Sequence, residues 1–209
     1  MSMKQINTYI TEKLKINRNT QTYKYHPESF EELKEIIINE KNGKRKRVLD
    51  LRDIDVSNIE HFAGLFTNFT NLFEVNMSGW NTSNVVNLEK MFENCKNLKS
   101  VDCTDWDTSN VEDMNRMFQL DEKLETVKGI ENWDTSLVKD MNSTFYGCKK
   151  FNANLYSWDV RRVKSFCATF AGCYKLNFNA EKWDVNKDAY TKWIFTNCHS
   201  LNKPSWYKK

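Results

Sequence analysis

The large apolar residues of this chain recur in a fixed order. Phe66, Phe92, Phe118, Phe145, Phe170 and Phe195 are separated by 26, 26, 27, 25 and 25 positions. Six residues after each comes a second apolar side chain (Leu72, Leu98, Leu124, Phe151, Leu176, Leu201), and a tryptophan then closes the unit: Trp80, Trp106, Trp133, Trp158, Trp183, Trp206. Three columns agreeing over six units are an internal repeat, the signature of a stacked architecture.

The polar residues keep the same register. Asn81-Thr82-Ser83-Asn84, Asp107-Thr108-Ser109-Asn110, Asp134-Thr135-Ser136-Leu137 and Asp159-Val160-Arg161-Arg162 follow their tryptophans, and Asp55-Val56-Ser57-Asn58 opens the first unit. A branched aliphatic comes next (Ile59, Val85, Val111, Val138, Val163), and three residues later Phe62, Leu88, Met114, Met141 or Phe166. The column Phe arrives four residues after that. Spacings of three, four and seven predict one face of a short helix, with Asp and Ser as its N-caps. Beyond Phe the period changes. Leu98, Val101 and Cys103, or Phe151, Ala153 and Leu155, predict a short strand.

The predicted fold is an α/β repeat solenoid. It is a leucine-rich-repeat-like coil of about six units of 23–27 residues, each a short helix plus a short strand, with the strands in a parallel ladder. The Phe-to-Trp segment shortens from 14 or 15 residues in the early units to 13 and then 11, which implies two subtypes of repeat.

Residues 1–47 are predicted to form a small helical N-terminal cap, and 48–209 the repeats. Ile6, Ile10 and Leu14 make an apolar helical stripe. A second helix begins after His26-Pro27, with Pro at its first position, carries Phe30, Leu33, Ile36 and Ile37, and ends at Asn42-Gly43. Val48-Leu49-Asp50-Leu51 is the first strand. In the sixth unit Asp188 and Ala189 replace the aliphatic and Thr191 the Met, as expected of a degenerate last repeat that serves as a C-terminal cap.

Composition adds little. With 31 Lys and Arg against 28 Asp and Glu, the net charge of +3 is too small to argue for nucleic acid or a membrane. The run Lys44-Arg45-Lys46-Arg47 reads as a solvated turn, with a phosphate or nucleic-acid contact as the alternative. No apolar stretch approaches the ~18 residues of a membrane span, so no membrane insertion is expected. The N-terminus lacks a signal-peptide pattern, which places the protein in a virion or the cytoplasm, with a cell surface as the alternative.

Each candidate for chemistry has a structural reading. Cys95, Cys148, Cys173 and Cys198 share one slot, three residues after the column Phe, where Phe69 and Asp121 stand in the first and third units. One small residue per repeat reads as a buried thiol column, and no Cys-x-x-Cys pair points to zinc. Cys103 takes an inward strand slot and Cys167 lies in the predicted helix. His26, His61 and His199 fall outside the columns. Asp55, Asp107, Asp134, Asp159 and Asp184 form a column that reads as N-caps or Asx-turns rather than as a calcium ladder. The tryptophans, locked in register with the apolar columns, read as buried corner-fillers rather than exposed stacking platforms. No metal, cofactor or catalytic residue is assigned, and binding residues are left open among the non-column positions.

The pattern around Asp113, Met114, Met117 and Phe118, and around Met91, Phe92, Cys95 and Leu98, resembles the BspA-type leucine-rich-repeat surface proteins from about Asp55 to Trp206. That resemblance implies a repetitive, surface-attached protein that works by binding. This chain departs from it in showing no export signal or anchoring tail. Residues 5–16 are similar to the starts of proteins encoded by large tailed gut bacteriophages. The expected function is therefore a non-catalytic structural or protein-interaction repeat protein, a component of a bacteriophage virion or, alternatively, an adhesin-like surface module. Its partners are other proteins of the virion or host surface, and its oligomeric state is open.

Overall fold

The computed structural model describes residues 22–42 and 46–207. The predicted helix around Ile6, Ile10 and Leu14 lies outside them. Among the described residues are one α-helix, α1 (Phe30–Asn42), and four strands: β1 (Val48–Asp50), β2 (Glu74–Asn76), β3 (Ser100–Asp102) and β4 (Thr126–Lys128). One 3-10 turn, Ile130–Asn132, follows β4. The strands form a single parallel sheet in chain order, with Leu49, Val75, Val101 and Val127 side by side and buried. Parallel neighbours need a crossover between them, so the chain makes a full circuit from each strand to the next. The arrangement is an α/β repeat-like coil with few helices.

A second ladder runs along another side of the coil. His61, Asn87, Asp113, Asp140, Ser165 and Tyr190 are joined in succession by parallel bridges. The segment that follows each of these residues, up to the column Phe and just beyond, corrects the prediction of a short helix: it is a ribbon of consecutive β-turns. Met91 N–H donates to Leu88 O, Glu93 to Lys90 and Cys95 to Phe92, each closing a four-residue turn. The alternate amides point out of the ribbon, to the next repeat: Leu88 to Asp113 O (2.9 Å), Lys90 to Asn115 O (2.8 Å), Phe92 to Met117 O (2.8 Å) and Asn94 to Gln119 O (2.7 Å).

The third residue of the first and third turns is left-handed in each ribbon. The pairs are Gly64 and Asn68, Lys90 and Asn94, Arg116 and Leu120, Ser143 and Gly147, Ala168 and Gly172, and Trp193 and Asn197, with φ between 54° and 80°. Two turns of isolated helix are marginal because nucleation is costly. A ribbon whose amides bond to its neighbours gains its stability from the stack instead.

A second correction concerns the later strands. The segment Phe151–Leu155 is not a strand, and the sheet ends at β4. Phe145 to Trp158 spans 13 residues where Phe118 to Trp133 spans 15, which leaves too little extended chain to continue the ladder. Phe151 and Leu155 are still buried, and the Phe151 ring stacks 4.4 Å from Phe145.

The core is two aromatic columns. Rings of Phe66, Phe92, Phe118, Phe145, Phe170 and Phe195 stack at 4.8, 5.2, 5.3, 5.6 and 5.8 Å, all fully buried. Trp80, Trp106, Trp133 and Trp158 stack at 6.2–6.3 Å with planes within 6°. A buried indole N–H needs an acceptor. Trp80 donates to Leu51 O, Trp106 to Met77 O, Trp158 to Ile130 O and Trp183 to Leu155 O, in each case the carbonyl of a preceding repeat. In the unit carrying the 3-10 turn, Trp133 Nε1 is buried without a partner.

Helix α1 packs with Leu33 and Ile37 buried, and Lys41 lies 3.8 Å over the Phe69 ring, which itself meets Phe66 edge-on. Its start differs from the prediction. Pro27 precedes the helix by three residues, and Ser29 is the N-cap: its Oγ accepts from Glu32 N–H, while the Glu32 carboxylate accepts from Glu28 N–H. Ser29 thus satisfies one of the first-turn donors that the helix leaves unpaired, and the helix starts there rather than at Pro27. At the other end Trp206 and Tyr207 set their rings 5.9 and 5.6 Å from Phe195.

Candidate functional site

The cysteine slot is structural. Cys95, Cys148, Cys173 and Cys198 are buried, and their thiols donate to Phe66, Phe118, Phe145 and Phe170 carbonyls at 2.9–3.0 Å. Burial pushes the thiols of Cys95, Cys148 and Cys173 well up and that of Cys198 to about 11, so all four stay protonated donors. Cys103 is buried and raised in the same way. Asp121 occupies the same slot with no exposure. Its Oδ1 accepts from Cys95 N–H at 2.7 Å, its Oδ2 has no partner, and burial raises its pKa well above the usual carboxylate range.

The Asp column makes Asx-turns. Oδ1 of Asp55, Asp107, Asp134 and Asp159 accepts the amide two residues on, at 2.9–3.1 Å. They are not helix caps, because no helix follows. The histidines stand apart: His26 faces Asp55 (3.5 Å), His61 joins the bridge ladder, and His199 lies against Tyr174. In the basic run, Lys46 pairs with Glu40 at 2.7 Å and helps hold that carboxylate down at about 2, while Arg47 lies over Phe73. Lys44 and Arg45 lie outside the described residues. The tryptophan column from Trp80 to Trp183 is at most 7% exposed, which removes it as a stacking surface.

The side chains that rise from the ribbon differ from repeat to repeat. Two residues before the column Phe stand Lys90, Arg116, Ser143, Ala168 and Trp193; one residue after it stand Glu93, Gln119, Tyr146, Ala171 and Thr196. Where Ala168 and Ala171 fill both positions the ribbon floor drops. On either side Tyr146 and Trp193 rise, 41% and 52% exposed. The result is an open hollow of about 590 Å³, completed by Arg116, Gln119, Ser143, Cys167 and Thr196. Its volume falls within the range of small-molecule sites.

Trp193 also bounds a neighbouring hollow of about 700 Å³, lined by Lys192, Lys203 and Tyr207 among others. The Lys192 ammonium, which lines this second hollow, lies 4.2 Å over the indole, and Trp193 borders both hollows. No carboxylate lines either hollow, and no aliphatic side chain larger than alanine lines the first. Gln119 Oε1 is buried with no hydrogen-bond partner. Acidic groups sit elsewhere on the ribbon: Asp113 is half-buried, and its pKa is raised by that burial and by Asp140 and Glu89.

Of the hollow's residues, sequence reasoning named only Cys167, and placed it in a helix rather than in a site. The signal available was the paired alanines of one repeat, where every other repeat carries a larger or polar side chain in at least one of the two positions.

A family described as a Mycoplasma protein of unknown function, DUF285, matches residues 31–126 and again 120–208. The chain belongs to this family. The two DUF285 matches run from the first turn of α1 past the last described ribbon, and the hollow spans both: Arg116 and Gln119 fall in the first, its other residues in the second. No curated protein and no solved structure matches the chain. Among the described residues no three His, Cys, Asp or Glu side chains are grouped to hold a metal ion, and no helix is long and apolar enough to cross a membrane.

Proposed function

We propose that this DUF285 protein is a non-catalytic interaction protein, built as a solenoid of about six stacked units, that binds through the ribbon face of its C-terminal repeats. One observation carries the reading. The Phe and Trp columns are buried, while Tyr146, Tyr156, Tyr174, Tyr190 and Trp193 of the C-terminal repeats are held out in solvent, Tyr146 and Trp193 around a floor of alanines. Exposed aromatics around a concave patch are the composition of binding sites rather than of ordinary surface. The cysteines support the non-catalytic reading, since their thiols are spent on carbonyls inside the stack.

In its biological setting the protein is a component of a larger particle, a virion in keeping with the phage-like start of the chain. The alternative is an adhesin-like surface module, which the BspA-type resemblance favours. Sedimentation of a gently prepared native lysate separates the two: a particle component travels far ahead of its 24.8 kDa monomer mass. Recovery at the monomer mass contradicts the particle reading and leaves the surface module.

A further inference from the structure

We propose that the hollow between Tyr146 and Trp193 is a glycan-binding site that takes a neutral oligosaccharide, an inference that deepens the interaction reading and rests on it. Pyranose rings present C–H faces and a rim of hydroxyls. They are held by aromatic faces flanked by neutral hydrogen-bonding side chains. The hollow supplies both. Trp193 and Tyr146 line it, and Gln119, Ser143 and Thr196 stand beside them. Ala168 and Ala171 keep the floor low, and the cavity measures about 590 Å³.

The charge pattern selects against the other occupants of aromatic hollows. A nucleic-acid strand requires cations along its path. Arg116, the one charged residue that lines this hollow, already lies 4.0 Å from Glu93, and the nearby Lys192 and Lys203 line the adjoining hollow rather than this one. An apolar peptide anchor would want aliphatic walls, which are absent.

The repeat supplies its own controls. Trp193→Ala places alanine at a left-handed position that Ala168 already occupies in the adjoining repeat (φ 54°), and Tyr146→Ala copies Ala171. Both variants should fold and melt with the native protein. The test is NMR titration of the intact chain with cellotetraose, maltotetraose, mannotetraose, chitotetraose and, separately, oligothymidylate. The expected result is saturable shifts at Ser143, Ala168 and Ala171 with at least one sugar, and affinity lower by about tenfold or more in each alanine variant. The proposal is overturned if no sugar shifts these amides at millimolar concentration, if the variants bind as tightly as the native chain, or if oligothymidylate binds best. A protein partner found on the native particle would then still uphold the broader interaction reading, so the two can fail separately.

Discussion

Asp121 is the residue at which the repeat departs furthest from its own rule. Four repeats place a neutral thiol in this slot; here a carboxyl sits with no exposure and one oxygen unpaired. Burial favours its protonated form, so its pKa in the folded chain lies above that of the unfolded chain. The folded state therefore holds a proton that the unfolded state has released, and stability falls as pH rises through and above the ordinary carboxylate range. Asp121→Asn keeps the acceptor for Cys95 N–H and removes the charge. It should stabilise the protein at pH 8 by about 1–3 kcal/mol and flatten the decline in melting temperature between acid and neutral pH. An unchanged pH profile would contradict this. The thiols give a second residue-scale expectation. Cys167, half-buried at the hollow, should be alkylated first in the folded protein, with Cys95, Cys148 and Cys173 slow. Early labelling of those three would refute the buried column. The columns of Phe, Trp and Cys were legible in the sequence because burial constrains them one residue at a time. The hollow was not, because Tyr146 and Trp193 matter only through being unlike their neighbours in the stack.

At the scale of elements, the ribbon explains both the success and the error of reading periodicity. Apolar side chains at spacings of three, four and seven are common to a short helix and to consecutive turns, so the columns came out right and the backbone wrong. The discriminating signal was the position two residues after the column Phe. In five of the six ribbons Asn68, Asn94, Gly147, Gly172 and Asn197 fill it, residue types that tolerate a left-handed backbone and that a helix avoids, and Leu120 is the exception. Packing at this scale is testable. Phe118→Ala empties one place in the stack and should cost about 3–5 kcal/mol in chemical denaturation, and Trp133→Ala a similar amount; native stability for either would refute its column. Gly129 makes the bend after β4 at φ 87°, and a Cβ there would lie 2.8 Å from the Cys103 carbonyl oxygen. Gly129→Ala should therefore destabilise by about 2 kcal/mol or more, whereas Gly79, with open space around its Cβ position, should be less sensitive to clash.

At the scale of the molecule, stability comes from junctions. Each pair of neighbouring ribbons shares amide–carbonyl bonds, a stacked Phe pair and, at most junctions, a thiol–carbonyl bond, so no repeat is complete alone. Exposed ion pairs such as Lys139–Glu112 and Lys149–Glu122 also bridge repeats, but at the surface they contribute little. The cohesion lies in the backbone ladder and the aromatic columns, and the ladder is what holds the alanine floor and its aromatic walls in place. Hydrogen-bond scalar couplings measured by NMR read that ladder directly. The amide of Phe118 should couple to the carbonyl of Thr144 in the following repeat, and that of Phe92 to Met117. Coupling of Phe118 instead to Met114, four residues back, would mean a helix at this position and would contradict the stacked-ribbon account.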